Sequence, residues 1–231
     1  MQAKEIKVLL KSLTREASSV EPNLAKRLEQ INRWVKNLKP GSLMAKKFVL
    51  LFLRQILNDS QIFLAIQSLS SPEERELYYQ QMKPTERYWF EDLFPKWLRE
   101  KDPKFYIWRQ KLMSGEFGQE DKELLEQIVN NISLSKGTVV QRYIADLSMA
   151  TDLIVSGSLE RSLCIQLTSV SPRLSRKKSN NWKDTLKMWR IDRGLFLSYN
   201  PGKANFVEGV VEIVLENSNN LNAGSYQKSS L

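Results

Sequence analysis

Apolar side chains recur at helical spacing along the first 135 or so residues. Ile6, Leu9, Leu10 and Leu13 form one stripe, and Leu24, Leu28, Ile31 and Val35 form another. Pro40-Gly41 punctuates the chain before its most apolar stretch, Leu43 to Ile66, which is interrupted by Lys46, Lys47, Arg54 and Asp59. Its longest unbroken apolar run is Phe48 to Leu53, far short of the roughly 20 residues that cross a bilayer, so a buried helix is expected. Ser71-Pro72-Glu73-Glu74 combines a cap, a proline for the first turn and acids against the helix dipole. Pro84, Pro95 and Pro103 divide the next stretch of chain into short helices. Gln119 to Ile132 is amphipathic, with Leu124, Leu125, Ile128, Val129 and Ile132 on one face.

The pattern changes near residue 136. Thr138 to Met149 suits a helix with Val139, Val140, Tyr143, Ile144 and Leu147 as its apolar side. Asp152 opens a short strand that ends at Gly157. Ser162 to Val170 alternates, with Leu163, Ile165 and Leu167 on one face and Cys164, Gln166 and Thr168 on the other. A basic loop from Pro172 to Ser179 precedes a helix at Asn180 to Arg190. Trp182, Leu186 and Trp189 give that helix a packing side, and Lys183, Lys187 and Arg190 repeat at the same spacing on its charged side. Leu195 to Tyr199 is a third strand, and Phe206 to Glu216, with Glu208, Glu212 and Glu216 four apart, is a final helix. The Asn- and Ser-rich end from Asn217 is expected to be disordered. The expected class is α+β: a helical region over 1–135, an α/β core over 136–216 and a tail over 217–231.

Composition narrows the chemistry. The 231 residues include no histidine and one cysteine, Cys164. Imidazole-based nucleophile systems, histidine metal sites, disulfides within the chain and thiolate zinc clusters are therefore excluded. Carboxylate, amide, hydroxyl, Lys and Arg chemistry remains. The N-terminus, MQAKEIKVLLKSL, has no apolar stretch of signal-peptide length, and a cytoplasmic protein with no membrane partner is expected. The net charge is +9, and residues 160–193 hold 9 basic against 3 acidic side chains. That concentration points to an anionic partner. The aromatic cluster Tyr88, Trp89, Phe90, Phe94, Trp97, Phe105, Tyr106 and Trp108 reads as core rather than as a base-stacking platform.

An acid at the head of one strand, polar residues on one face of the next and a basic helix behind them resemble the PD-(D/E)XK, or restriction-endonuclease-like, superfamily. The resemblance covers about residues 137–200. It implies a small mixed sheet flanked by helices, nucleic acid as partner (DNA before RNA) and Mg²⁺ or Mn²⁺ as cofactor in an active member. Asp152 matches the motif aspartate, and Gln166-Leu167-Thr168 matches the acid-x-lysine tripeptide. Gln141 falls where many members carry a glutamate on the preceding helix. By that likeness Asp152 and the Gln166 amide would hold the metal, and Thr168 stands where the lysine would be. Lys183 or Lys187 would supply the missing charge. Arg173, Arg176, Lys177, Lys178 and Arg190 would contact nucleic acid. The competing expectation is an inactive interaction subunit that docks a protein partner through its helical half.

Overall fold

The structure is a computed structural model that describes residues 3–36, 47–114, 122–169, 172–202 and 204–231. Pro40-Gly41, Leu43 to Lys46, the start of the amphipathic helix at Gln119 and the end of the second strand at Val170 lie outside the described residues. The chain divides into two compact units.

The first unit is helical: α1 (Ala3–Val20), α2 (Pro22–Lys36), α3 (Lys47–Gln67), α4 (Pro72–Gln80), α6 (Phe94–Arg99) and α7 (Phe105–Ser114). The stripes expected from the spacing are its core: Ile6, Leu10, Leu24, Leu28, Ile31 and Val35 are fully buried. The Phe48–Gln67 portion of α3 is long and apolar enough to cross a membrane, but 56% of that window is buried inside the protein. Its Phe52 packs on Trp34 and Trp108, with ring centroids 6.0 and 5.1 Å away, as a core helix does. Ser71 caps α4 with a complete capping box, its hydroxyl accepting from Glu74 N and the Glu74 carboxylate accepting from Ser71 N.

Asp102 ties this unit together. Its Oδ2 accepts from the indole nitrogens of Trp97 (3.2 Å) and Trp108 (3.0 Å), and its Oδ1 accepts from Lys104 N at 2.9 Å. Arg27 donates to the carbonyls of Trp97 and Glu100. Burial lowers the Arg27 pKa, and the charge of Asp102 raises it in part.

The second unit holds α5 (Pro84–Tyr88), a π-helical turn (Trp89–Leu93), α8 (Lys122–Leu134), α9 (Tyr143–Met149), α10 (Pro172–Met188), α11 (Phe206–Asn220) and one sheet. The widened turn precedes Pro95, which lacks the N–H for a regular bond to residue 91 and would crowd that carbonyl. Pro95 is therefore carried inside α6 rather than ending a helix. The strands are β1 (Thr138–Val140), β2 (Leu153–Ser156), β3 (Leu163–Thr168), β4 (Arg193–Ser198) and β5 (Ser225–Ser230), in that spatial order. β1, β2 and β3 are antiparallel neighbours, and β3, β4 and β5 run parallel.

The alternation read in β3 is realised on both faces. Leu163, Ile165, Leu195 and Leu197 join Ile128, Ile132, Val210 and Val214 in a core formed with α8 and α11. On the opposite face α10 lies against Gly194, Phe196 and Tyr226 through Trp182, whose ring is 5.6 Å from that of Phe196 and 6.2 Å from that of Tyr226. A Cβ at Gly194 would come within 2.7 Å of Trp182 and closer still to Leu186, so only glycine permits this approach.

Four expectations are corrected. Residues 138–140 form an edge strand, because Thr-Val-Val is too short to reveal a period of two; only 143–149 is helical. The expected basic loop is the first half of α10, with Pro172 as its first helical residue. The amphipathic helix α8, expected in the 1–135 region, contributes Ile128 and Ile132 to the core beneath the sheet. Residues 217–231 are not a disordered tail: α11 runs to Asn220 and β5 pairs with β4 over six residues. β5 is polar because it is an edge strand, held by main-chain bonds and by Tyr226 Oη donating to Ile191 O at 2.7 Å.

Candidate functional site

Asp152 stands one residue before β2 and extends its ladder, its N–H donating to Ile165 O at 2.8 Å. Ala150, in the left-handed region at φ 53°, ends α9 and turns the chain into this position. Asp152 is thereby brought beside the Gln166-Leu167 step of β3. Its Oδ2 accepts from Gln166 Nε2 at 2.6 Å and from Leu167 N at 2.7 Å. Gln166 Nε2 also donates to Leu167 O at 3.3 Å. Two acceptors thus fix the amide with its NH2 group toward the carboxylate.

Thr168 ends β3 and is buried, at 6% exposure. Lys178 Nζ donates to Thr168 Oγ1 at 3.3 Å. The sequence explains the contact: Lys178 precedes Trp182 by four residues and Leu186 by eight, so it continues the stripe that packs on the sheet. Because α10 follows β3 in the chain, its early turns lie near the strand's carboxyl end. A lysine on that stripe, early in the helix, therefore reaches Thr168.

Lys183 and Lys187 sit elsewhere on the cylinder, about 140° and 180° around from Lys178 at 100° per residue. Lys183 is half-buried and Lys187 exposed. The residue that supplies a charge at Thr168 is thus Lys178, which the sequence pattern places among the nucleic-acid contacts instead. The signal that points to it is the packing stripe, extended one turn back into what reads as a loop. Arg176, Lys177 and Arg190 are exposed on α10 and just beyond it; the Arg173 side chain lies outside the described residues. Gln141 is exposed in the connection between β1 and α9, on neither helix nor strand.

Cys164, on the α10 face of β3, is a buried free thiol that forms a side-chain hydrogen bond with Tyr88. Tyr88 is half-buried as a residue, yet burial of its phenol is the main cause that raises its pKa well above the usual 10.0; the charges of Cys164, Asp92 and Asp192 add to it. Arg193, at the start of β4, donates to the carbonyls of Ser162, Asn217, Ser218 and Leu221 and so caps the C-terminal end of α11. Burial, then the neighbouring Arg161, lowers its pKa. Both groups hold the fold of this unit.

The donors around Asp152 do not suit the divalent cation that the resemblance implies. Mg²⁺ and Mn²⁺ take several oxygen ligands in a near-octahedral shell. Here one oxygen of the sole motif carboxylate is enclosed by two N–H donors, and Gln166 presents nitrogen rather than oxygen to it. Among the described residues there is no group of three His, Cys, Asp or Glu side chains that could hold a metal. Comparison with protein-family models, curated proteins and solved structures finds no match to this chain. The class defined by the structure is an α+β protein with one five-stranded mixed sheet flanked by helices.

Proposed function

We propose that the sheet-bearing unit is a nuclease-like nucleic-acid-binding module that contacts the phosphate backbone through α10, without a resident metal. The observation that carries this reading is Lys178. Its ammonium group stands at Thr168 Oγ1, where the PD-(D/E)XK likeness leaves a charge missing, beside the Asp152–Gln166 pair. The mixed sheet flanked by helices is the kind of core that this likeness implies. Arg176, Lys177, Lys187 and Arg190 are also exposed on this helix or just past it, Arg176 and Lys187 on the side away from Lys178, so the positive charge wraps around the helix.

In this reading Asp152 is a positioning residue. It fixes the Gln166-Leu167 step and with it the end of β3, and Lys178 meets the ligand. DNA is the expected partner before RNA. A cytoplasmic setting accords with a single buried thiol that needs no oxidising compartment.

The test is a gel series with labelled single- and double-stranded DNA and RNA, in Mg²⁺, Mn²⁺ or chelator, using wild type and Asp152→Ala. The expected result is intact substrate and a salt-sensitive shift in both proteins. Log affinity on duplex DNA should fall with log salt at a slope of about −0.9 per phosphate neutralised. Metal-dependent cleavage that disappears in Asp152→Ala would replace the binding reading with a hydrolase. Absence of any shift at low salt, with association to another protein, would replace it with the interaction-subunit reading.

A further inference from the structure

The parallel strands end in a row of hydroxyls. Thr168 of β3 is in register with Ser198 of β4, and Ser198 with Ser230 of β5. Side chains alternate along a strand, so this row shares a face with Gly194, Phe196 and Tyr226, against which Trp182 of α10 is packed. The contact from Lys178 to Thr168 places the helix ammonium on that side as well. Lys228 of β5 is opposite Phe196 in the register, on the same face and exposed. Burial decreases along the row: Thr168 is buried, Ser198 half-buried and Ser230 exposed. The row therefore opens to solvent toward the sheet edge.

Resting on the nucleic-acid reading, we infer that this ledge is a seat for one backbone phosphate. Ser198 and Ser230 would be its neutral donors, with Lys178, which donates to the buried Thr168, above and Lys228 at the edge. Adjacent strands are about 4.8 Å apart, a spacing that two oxygens of one tetrahedral phosphate can bridge while each accepts from a different hydroxyl. The carboxyl ends of parallel strands are where open α/β sheets hold ligands, since the following loops diverge there. Asp152 stands on the β2 side of β3, away from Ser198 and Ser230 in the strand order. The carboxylate, engaged with Gln166 and Leu167, therefore flanks the ledge at its closed end.

The division of labour makes the seat separable from general charge attraction. Duplex DNA binding would be titrated against salt for wild type, Lys178→Ala and the double variant S198A/S230A. Thermal unfolding would verify that each variant is folded. Lys178→Ala is expected to lose affinity and to reduce the salt slope by about one phosphate equivalent. The double variant removes no charge, so its slope should match wild type while its affinity falls roughly three- to tenfold, as for one or two neutral hydrogen bonds. Ser198→Thr, which keeps a hydroxyl on the α10 face, should restore most of the loss attributable to Ser198.

Wild-type affinity in S198A/S230A, from a protein that does bind DNA, would overturn the phosphate seat and leave the binding reading standing. No binding by wild type at low salt would overturn both.

Discussion

Each unit contains a carboxylate that accepts several N–H donors, and the two are built differently. Asp102 is 6% exposed, and its donors are two buried indoles and a main-chain amide, with Arg27 as the nearby countercharge. Asp152 is half-buried at the end of a strand, and its donors are a side-chain amide and the main chain of β3. Enclosure makes the first a structural lock, because nothing can replace a lost partner in a dry core. The second is open to solvent beside a basic helix, where water can replace a lost partner and a ligand can approach. The same acceptor chemistry serves stability in one place and a surface in the other, and burial makes the difference.

That contrast can be broken by removing each group. Asp102→Ala would orphan two buried indole N–H groups and leave Arg27 without its countercharge. A loss of about 3–5 kcal/mol in urea unfolding is expected. A loss under 1 kcal/mol would mean that the cluster is no lock. Arg193→Ala is the corresponding cut in the sheet-bearing unit. It deprives four carbonyls of a buried cation, with an expected loss of about 2–4 kcal/mol and faster amide exchange in the last turn of α11.

Asp152→Ala should cost only about 1–2 kcal/mol, since solvent can reach the groups it leaves behind. A loss as large as that of Asp102→Ala would abolish the distinction between the two sites. The smallest effect is on pH dependence. The folded protein holds Tyr88 protonated above its usual value of 10.0, whereas the unfolded chain ionises there. Its contribution is fully present below about pH 10 and is lost as pH rises beyond it. Unfolding titrations should therefore show a shallower alkaline decline for Tyr88→Phe than for wild type. Identical slopes would show that the phenol is not held from ionising.

The elements with a strong period are legible in the chain. The stripes of α1 and α2, the cap at Ser71 and the alternation of β3 each have one physical cause that acts within a few residues. Asp152 and Gln166 also stand out by position, one at a strand head and one on a polar strand face. The role of Lys178 is misread because the basic run from Arg173 to Ser179 looks like a solvated loop until the helix is extended back to Pro172. The Ser198 and Ser230 partnership is hidden because β5 has almost no apolar signal: an edge strand is held by pairing, and pairing leaves little trace in one strand's composition.

The sequence by itself determined the α+β class, the absence of imidazole chemistry and of disulfides within the chain, the buried stripes and the concentration of positive charge between residues 160 and 193. These follow from residue identity and from periods of two or 3.6, which are local. The tertiary structure alone decided that the Gln166 amide turns its nitrogen toward Asp152 and that Lys178 reaches Thr168. It also decided that three strands end in one row of hydroxyls. Each of these depends on how separate segments are brought into register, which is set by the way the core closes and not by the segments themselves.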